Sequence, residues 1–270
     1  MRKKLGLYAN IRPTYTFDSL LEKSPIKKSI IQGTDLVFVR ELTGGIYFGK
    51  RGRNKTDDYA YDTCEYNVNE IKRLAKIGFE LAMKRSKKLC CIDKANVLET
   101  SRLWRQTVQS LEKNYPEVNV SYEFVDAVAM RLIHSPSYYD VLITSNLFGD
   151  ILTDEASVIS GSMGLMPSAS VGVETSIYEP IHGSFPQAKG KNIANPLATI
   201  LSASMMFERS FHLNEESKLI RDLVNESISN NIVTKDLSGD GKPFTTTEVG
   251  DWIVDRLSLI HISEPTRHES

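Results

Sequence analysis

Short apolar runs alternate with amphipathic helical patterns through the middle of this chain, and no other feature restricts its possible folds as strongly. Asp35–Glu41 is one strand pattern, and residues 69–88 repeat apolar side chains at helical spacing. Each such element must bury its apolar face against another layer. The alternation therefore predicts an α/β layered fold.

Charged residues follow several of the expected strands directly. In an α/β sheet, ligand-binding groups lie at the edge where the strands end. Repeated placement of charged residues at the ends of strands is typical of a ligand-binding or catalytic site. The residues placed in this way are Arg40, Lys94, Asp126 and Asp150.

Asp150 and Asp154 lie four residues apart in a helical pattern that follows the buried run at residues 141–143, with Asn146 expected as the N-cap. Side chains at this spacing share one helical face, and two like charges there repel each other. A divalent cation with oxygen ligands relieves that repulsion strongly. The alternative is an acidic first helical turn in water, and the spacing alone does not decide between the two.

Several other cations also have two interpretations. Lys94 is either an ordinary surface residue or a proton-transfer group, because the pKa of lysine falls readily on burial. Arg2 and Arg12 are expected as surface cations, and residues 50–62 as an exposed loop. Arg40 ends a strand before a Gly-Gly turn, where ligand-binding groups of α/β sheets lie.

Residues 178–196 form a long polar segment rich in glycine, amide, hydroxyl and imidazole groups. Long ordered loops are usually functional. These donors suit a sugar, a phosphate or an adenine edge. The alternative is a plain surface loop in which His182 caps a neighbouring group.

Composition narrows the class of protein. The 270 residues carry a net charge of −1, which gives no basic field for nucleic acid. No apolar run approaches the roughly 20 residues of a membrane span, and the N-terminus is too polar for a signal peptide. Cys64, Cys90 and Cys91 lack metal or redox spacing and are expected to be reduced core residues of a cytoplasmic protein.

With these segments assembled, the chain resembles the 3-isopropylmalate dehydrogenases of the isocitrate/isopropylmalate dehydrogenase family. The resemblance extends from Arg2 to about Leu257, and the segment Glu-Leu-Thr-Gly-Gly-Ile-Tyr-Phe-Gly at residues 41–49 is its most specific part. The other matching segments are residues 7–13, 39–40, 93–97, 146–154 and 179–196.

The resemblance implies a role for each matching residue. Arg2, Arg12 and Arg40 would bind the two malate carboxylates, and Asp150 and Asp154 would hold Mg²⁺ or Mn²⁺. Asp126, from the second subunit of a homodimer, would complete the metal and substrate site. Lys94, from the same second subunit, would take the hydroxyl proton, and Tyr47 would protonate the enol carbon while NAD⁺ accepts hydride. The residues implied at the NAD site are Glu179, His182, Gly183, Ser184, Gln187 and Asn195.

The resemblance also implies a two-domain α/β fold in which the first part of the nucleotide-binding domain is missing. Residues 1–8 would be a remnant of domain 1, residues 9–160 the substrate, metal and dimerisation domain, and residues 161–257 the rest of domain 1. Gln187 stands where many members have an aspartate that binds the adenine ribose, which weakens the inference of NAD over NADP.

Residues 258–270 show no helical continuation and are interpreted as a non-native tail. The chain is therefore expected to be an impaired fragment of a leucine-biosynthesis enzyme. Alternatives are an isocitrate or tartrate dehydrogenase, or a non-catalytic paralogue that acts as a dimerisation or regulatory subunit.

Overall fold

A computed structural model describes residues 4–22 and 24–263. Arg2, which the sequence placed among the substrate-binding arginines, lies outside the described residues. Within the described ranges, none of the helices is both long enough and apolar enough to cross a bilayer.

A seven-stranded sheet forms the centre of the molecule, in the order β6-β5-β7-β2-β1-β8-β9. Strands β6, β5, β7 and β2 are parallel to one another, whereas β1, β8 and β9 pair antiparallel. The seven strands of this sheet are β1 (Ala9–Tyr15), β2 (Asp35–Glu41), β5 (Lys88–Asp93), β6 (Asn119–Phe124), β7 (Val141–Thr144), β8 (Pro167–Val171) and β9 (Ser176–Pro180). Strands β3 (Arg51–Arg53) and β4 (Ala60–Asp62) pair with each other in a separate two-stranded sheet. The α/β fold expected from the alternation is confirmed.

Helices cover both faces of this sheet. They are α1 (Lys28–Ile31), α2 (Val68–Lys84), α3 (Glu99–Glu112), α4 (Val125–His134), α5 (Asn146–Ser160), α6 (Leu197–Ser210), α7 (Asn214–Ser229), α8 (Lys235–Ser238) and α9 (Thr246–Ser263). Helix α2 begins at a capping box in which Asn67 and Glu70 satisfy each other's backbone amides. A Cβ at Gly78 would lie 2.3 Å from Cγ2 of Ile143, so α2 packs directly onto β7 at that point.

Among the residues that the structure describes, three apolar clusters make up the core. Two of them lie on the faces of the parallel strands, around Phe79 and Trp104 on one side and Phe38 and Leu142 on the other. The third is built mainly from residues 161–257, with Phe17 and Leu20 added from the N-terminal part. The separate cluster supports the expected division into domains, but β1 pairs with both β2 and β8, so one sheet spans both parts. The domain boundaries remain a prediction.

Three local expectations were wrong. Residues 50–62 form a short hairpin, β3–β4, rather than a loop without structure. Cys64 is exposed, because it follows this hairpin, whereas Cys90 and Cys91 are buried in β5 as expected. Helix α9 continues to Ser263 rather than ending at Leu257, since the sequence has no glycine or proline between Leu257 and Pro265.

Candidate active site

Arg40 lies at the carboxyl end of β2, where it is almost fully buried with 3% of its surface exposed. Its Nε and Nη2 donate to Oδ1 of Asn146 at 3.2 and 2.9 Å, and its Nη1 donates to Asp150. A Cβ at Gly149 would come within 2.6 Å of Cγ of Arg40, so only glycine leaves room for this side chain beneath α5. Arg40 is therefore held rigidly against the first turns of α5.

Asp150 receives two hydrogen bonds, one from Arg40 and one from the hydroxyl of Tyr47 at 2.6 Å. Partial burial raises the pKa of Asp150, but the Tyr47 hydrogen bond and the charges of Arg40 and Arg12 outweigh it, so the pKa lies below its usual value. The pKa of Tyr47 is raised by partial burial and by its bond to Asp150. At neutral pH the pair is a carboxylate and a phenol that holds its proton.

Arg12 is buried, and the expectation of a surface cation was wrong. Its Nη1 donates to Oγ1 of Thr153 at 2.5 Å and lies 3.9 Å from Oδ1 of Asp154. Its Nε donates to Asn10, whose own amide donates to Ser170 at 3.1 Å. Arg12 and Arg40 thus supply positive charge beside Asp154 and Asp150, which reduces the repulsion expected between the two carboxylates.

Asn146 is the most important residue that the sequence reasoning misplaced. Ser145 occupies the N-cap position of α5, and Asn146 is the first helical residue. Its side chain binds Arg40 through Oδ1 and donates from Nδ2 to the carbonyl of Gly44 at 3.2 Å. A short polar residue before a helix predicts a cap, and no signal in the sequence shows that it faces a neighbouring strand instead.

Glu41 and Tyr66 were not singled out from the sequence either. The buried carboxylate of Glu41 accepts from the amides of Thr43 and Gly44 at 2.8 and 2.7 Å. The hydroxyl of Tyr66 accepts from the amide of Asn146 at 2.9 Å, and its ring lies against Gly44 and Gly45. A glutamate directly after a buried strand run is the one signal that could have indicated a buried, hydrogen-bonded carboxylate.

Lys94 and Asp126 form a separate pair. Nζ of Lys94 lies 2.5 Å from Oδ1 of Asp126, and this contact lowers the pKa of Asp126. The backbone amide of Lys94 donates to Oγ of Ser101 at 3.0 Å. The preceding residue, Asp93, is buried and accepts from Nε of Arg105 at 2.8 Å. Within the described part of the chain, no hydrogen bond or ion pair joins this pair to Asp150 or Asp154. Likewise, within residues 4–22 and 24–263 no three acidic, histidine or cysteine side chains converge as a metal site.

The segment expected to bind the nucleotide is only partly a loop. Glu179 belongs to β9, and Gln187 lies in a single 3-10 turn. His182, Gly183, Ser184 and Gln187 are exposed. Asn195 is anchored, because its Nδ2 donates to Asp236 at 3.0 Å and its Oδ1 accepts the amide of Leu197 at 2.9 Å. The exposed donors therefore stand on a segment whose C-terminal end is fixed.

Sequence and structure comparisons relate this chain to known proteins. The family model for isocitrate/isopropylmalate dehydrogenase matches residues 1–253. A protein of Bacteroides fragilis named 3-isopropylmalate dehydrogenase is 56% identical over 258 residues, which are 95% of this chain and 72% of that protein. A protein of the same name from Clostridium acetobutylicum is 51% identical over 262 residues, covering 95% and 73%.

A solved structure gives the same result for the fold. The isocitrate dehydrogenase of Methylococcus capsulatus superposes with a TM-score of 0.85 at 33% identity, covering 93% of this chain and 73% of that one. The site lies on an α/β scaffold of the decarboxylating dehydrogenase type. The chain belongs to the isocitrate/isopropylmalate dehydrogenase family.

Proposed function

We propose that the protein oxidises 3-isopropylmalate with NAD⁺ and decarboxylates it to 4-methyl-2-oxopentanoate, CO₂ and NADH, a step of leucine biosynthesis. The single observation that carries this proposal is the joint placement of Arg40, Tyr47 and Asp150 at one sheet edge. The relatives named 3-isopropylmalate dehydrogenase, at 46–56% identity, support the choice of substrate.

Arg12 and Arg40 suit a substrate with two carboxylates. Guanidinium groups form two parallel hydrogen bonds to a carboxylate and remain charged at any working pH. Both arginines are held by buried partners, Asn10 and Thr153 for one and Asn146 for the other. A fixed guanidinium loses little conformational entropy when it binds an anion, so the two together orient a dicarboxylic acid.

Asp150 and Asp154 fit a magnesium or manganese ion. Both offer carboxylate oxygens, the ligands that these hard cations prefer, and Asp150 keeps its charge because its pKa is lowered. Asp154 leaves 59% of its side chain exposed and makes only a long contact to Arg12. A bound divalent ion would supply Lewis acidity at the substrate hydroxyl and carboxylate. Asp126 of a second copy would complete the ligands.

Lys94 and Tyr47 are the proposed proton-transfer groups. Lys94, from the second copy, takes the hydroxyl proton as the alcohol is oxidised. Tyr47 keeps its proton at neutral pH because its pKa is raised, so it can protonate the enol carbon after CO₂ leaves. Asp150 orients the Tyr47 hydroxyl through their 2.6 Å hydrogen bond.

The proposed NAD⁺ site, where the cofactor supplies the hydride acceptor, consists of exposed residues of segment 178–196 together with the partly buried Asn195. Glu179, His182, Gly183, Ser184, Gln187 and Asn195 offer the carboxylate, ring nitrogen, hydroxyl and amide groups that bind ribose, phosphate and adenine. Gln187 lacks the carboxylate that would select NAD⁺, so NAD⁺ is proposed over NADP⁺ because no arginine stands beside Gln187 to bind a 2′-phosphate.

A second copy of the chain is the proposed partner, because the site on one copy is incomplete. Asp126, Met130 and Ile133 lie at helical spacing along α4, and Ile151 and Asp154 do so along the adjacent α5. Met130 and Ile151 are 70% and 59% exposed, although both are apolar. This apolar face carries the acidic residues of both half-sites, so two copies joined through it can complete each other's sites.

Met130→Glu is expected to prevent that association. Burying an unpaired carboxylate in an apolar interface costs several kcal/mol, so the variant should sediment as a single copy at about micromolar concentration. Val254→Glu, at an exposed position on α9, is the matched control and should sediment like the unchanged protein. Equal sedimentation of Met130→Glu and the control would contradict the proposed face.

The function is tested by mixing the purified protein with 3-isopropylmalate, NAD⁺ and Mg²⁺ and following nicotinamide absorbance. Isocitrate and tartrate are run in parallel, together with Asp150→Asn as the inactive reference. We expect reduction of NAD⁺ with 3-isopropylmalate in preference to the other two acids. Faster reduction with isocitrate or tartrate would reassign the substrate. No binding of Mn²⁺ and no turnover with any acid would favour the non-catalytic alternative.

A further inference from the structure

The buried side chain of Asn146 contacts two separate parts of the site, the guanidinium group of Arg40 and the turn at Gly44. Its side chain is 1% exposed, and its Oδ1 accepts from two nitrogens of Arg40 at 3.2 and 2.9 Å. Its Nδ2 donates to the carbonyl of Gly44 at 3.2 Å. A carboxamide that uses its oxygen on one partner and its nitrogen on another can fit in one orientation only.

The second of these contacts reaches the turn that carries Tyr47. Gly44 and Gly45 begin this turn, and both lie against the ring of Tyr66. The hydroxyl of Tyr66 accepts the backbone amide of Asn146 at 2.9 Å. The start of α5 is therefore joined to the turn directly, by the Asn146–Gly44 hydrogen bond, and indirectly, through Tyr66, whose ring packs on the turn. The Tyr47 hydroxyl then meets Asp150 one turn further along α5.

We propose that Asn146 is a positioning residue that holds the side chains of Arg40, Tyr47 and Asp150 at fixed positions relative to one another, an arrangement called the register of the site below. It touches Arg40 directly and acts on Tyr47 through Gly44, and it lies one helical turn before Asp150. Neither substrate nor cofactor needs to contact it. This inference rests on the proposed function for its kinetic consequence, but the register itself is a property of the protein alone.

The test compares Asn146→Ala with the unchanged protein and with Ser204→Ala. The control also removes buried hydrogen bonds, from Oγ of Ser204 to Ser217 at 2.9 Å, but lies on α6 away from the site. An active site misplaced by about 1 Å can lose roughly a hundredfold in rate, so Asn146→Ala should lower kcat by about that factor. KM for 3-isopropylmalate should rise less, about tenfold, because Arg40 loses its orientation and keeps its charge.

A second readout needs neither substrate nor metal. Protein labelled with fluorotyrosine gives one fluorine resonance for each tyrosine environment, and Tyr47→Phe identifies the resonance of Tyr47. Asn146→Ala should shift that resonance, whereas Ser204→Ala should leave it in place. Tyr66→Phe, which removes the acceptor of the Asn146 amide and keeps the ring, should shift it less and lower kcat by about tenfold. Tyr66→Phe decides the question if Asn146→Ala does not fold.

The two proposals fail in different ways. If the unchanged protein oxidises none of the acids, the proposed function is wrong, and the fluorine resonance still tests the register. An unshifted Tyr47 resonance in both variants would overturn the role of Asn146. So would a kcat within about threefold of the unchanged protein, since a register error has larger kinetic effects.

Discussion

Lys94→Ala is expected to lower turnover of 3-isopropylmalate by about a thousandfold, because general-base groups typically contribute between 10² and 10⁴ in rate. The Lys94 side chain pairs with Asp126 and is not part of the buried core, so the variant should remain folded. Initial rates measured with saturating NAD⁺ and Mg²⁺ give the effect. Lys76→Ala, which removes an exposed lysine on α2 that pairs with Glu80, is the matched control and should keep full activity.

Mixing two inactive variants tests where Lys94 acts. In a hybrid of Lys94→Ala with Asp150→Asn, one site has Asp150 from the first copy and Lys94 from the second, and the other site lacks both. Random exchange of copies should therefore restore about a quarter of the unchanged activity. A mixture that stays inactive, after exchange has been verified by mass, would place Lys94 and Asp150 in the same copy's site and contradict the shared arrangement.

Gly149→Ala is expected to damage stability and activity together. A Cβ at this position would lie 2.6 and 2.9 Å from Cγ and Cβ of Arg40, and 2.9 Å from Cγ2 of Thr144. Arg40 cannot move aside easily, because Asn146 and Asp150 hold its guanidinium. Overpacking of this kind costs about 1–3 kcal/mol, which exceeds the gain in helix propensity of up to about 1 kcal/mol.

Urea unfolding measures the stability of this variant, and initial rates measure its activity. Displacement of Arg40 should lower kcat/KM by about ten- to a hundredfold. Gly250→Ala is the control, since Gly250 lies in α9 and a Cβ there meets no atom within 4 Å. That substitution should stabilise the protein by up to about 1 kcal/mol and leave activity unchanged. If both alanine variants behaved alike, the close packing at Gly149 would be unimportant.

Local patterns in the sequence predicted most of the elements. Asp35–Glu41 was expected as a strand and has the same bounds as β2 in the structure. The buried apolar run at residues 141–143 lies in strand β7. The apolar alternation was sufficient for this, because buried parallel strands and amphipathic helices differ in their periodicity. The bounds of α9 and the hairpin β3–β4 were missed, since polar segments carry little periodic signal.

The sequence predicted some residues of the candidate site and misjudged others, because only some of them follow a local pattern. Charges that follow strands indicated Arg40, Lys94 and Asp126, because parallel strands end at a common edge. Arg12 was expected on the surface, since a lone arginine in a strand gives no sign of burial. Its burial depends on Asn10 and Thr153, which lie on β1 and on α5.

The sequence by itself therefore determined the layered α/β fold, the family resemblance and the identity of the chemical groups, all of which depend on residue type and local spacing. Only the tertiary structure decided which of those groups meet. Asn146 binds Arg40 across 106 residues, and Tyr47 reaches Asp150 across 103. Contacts over such separations are set by how helix α5 packs on strands β1 and β2, and no short-range pattern in the chain encodes that packing.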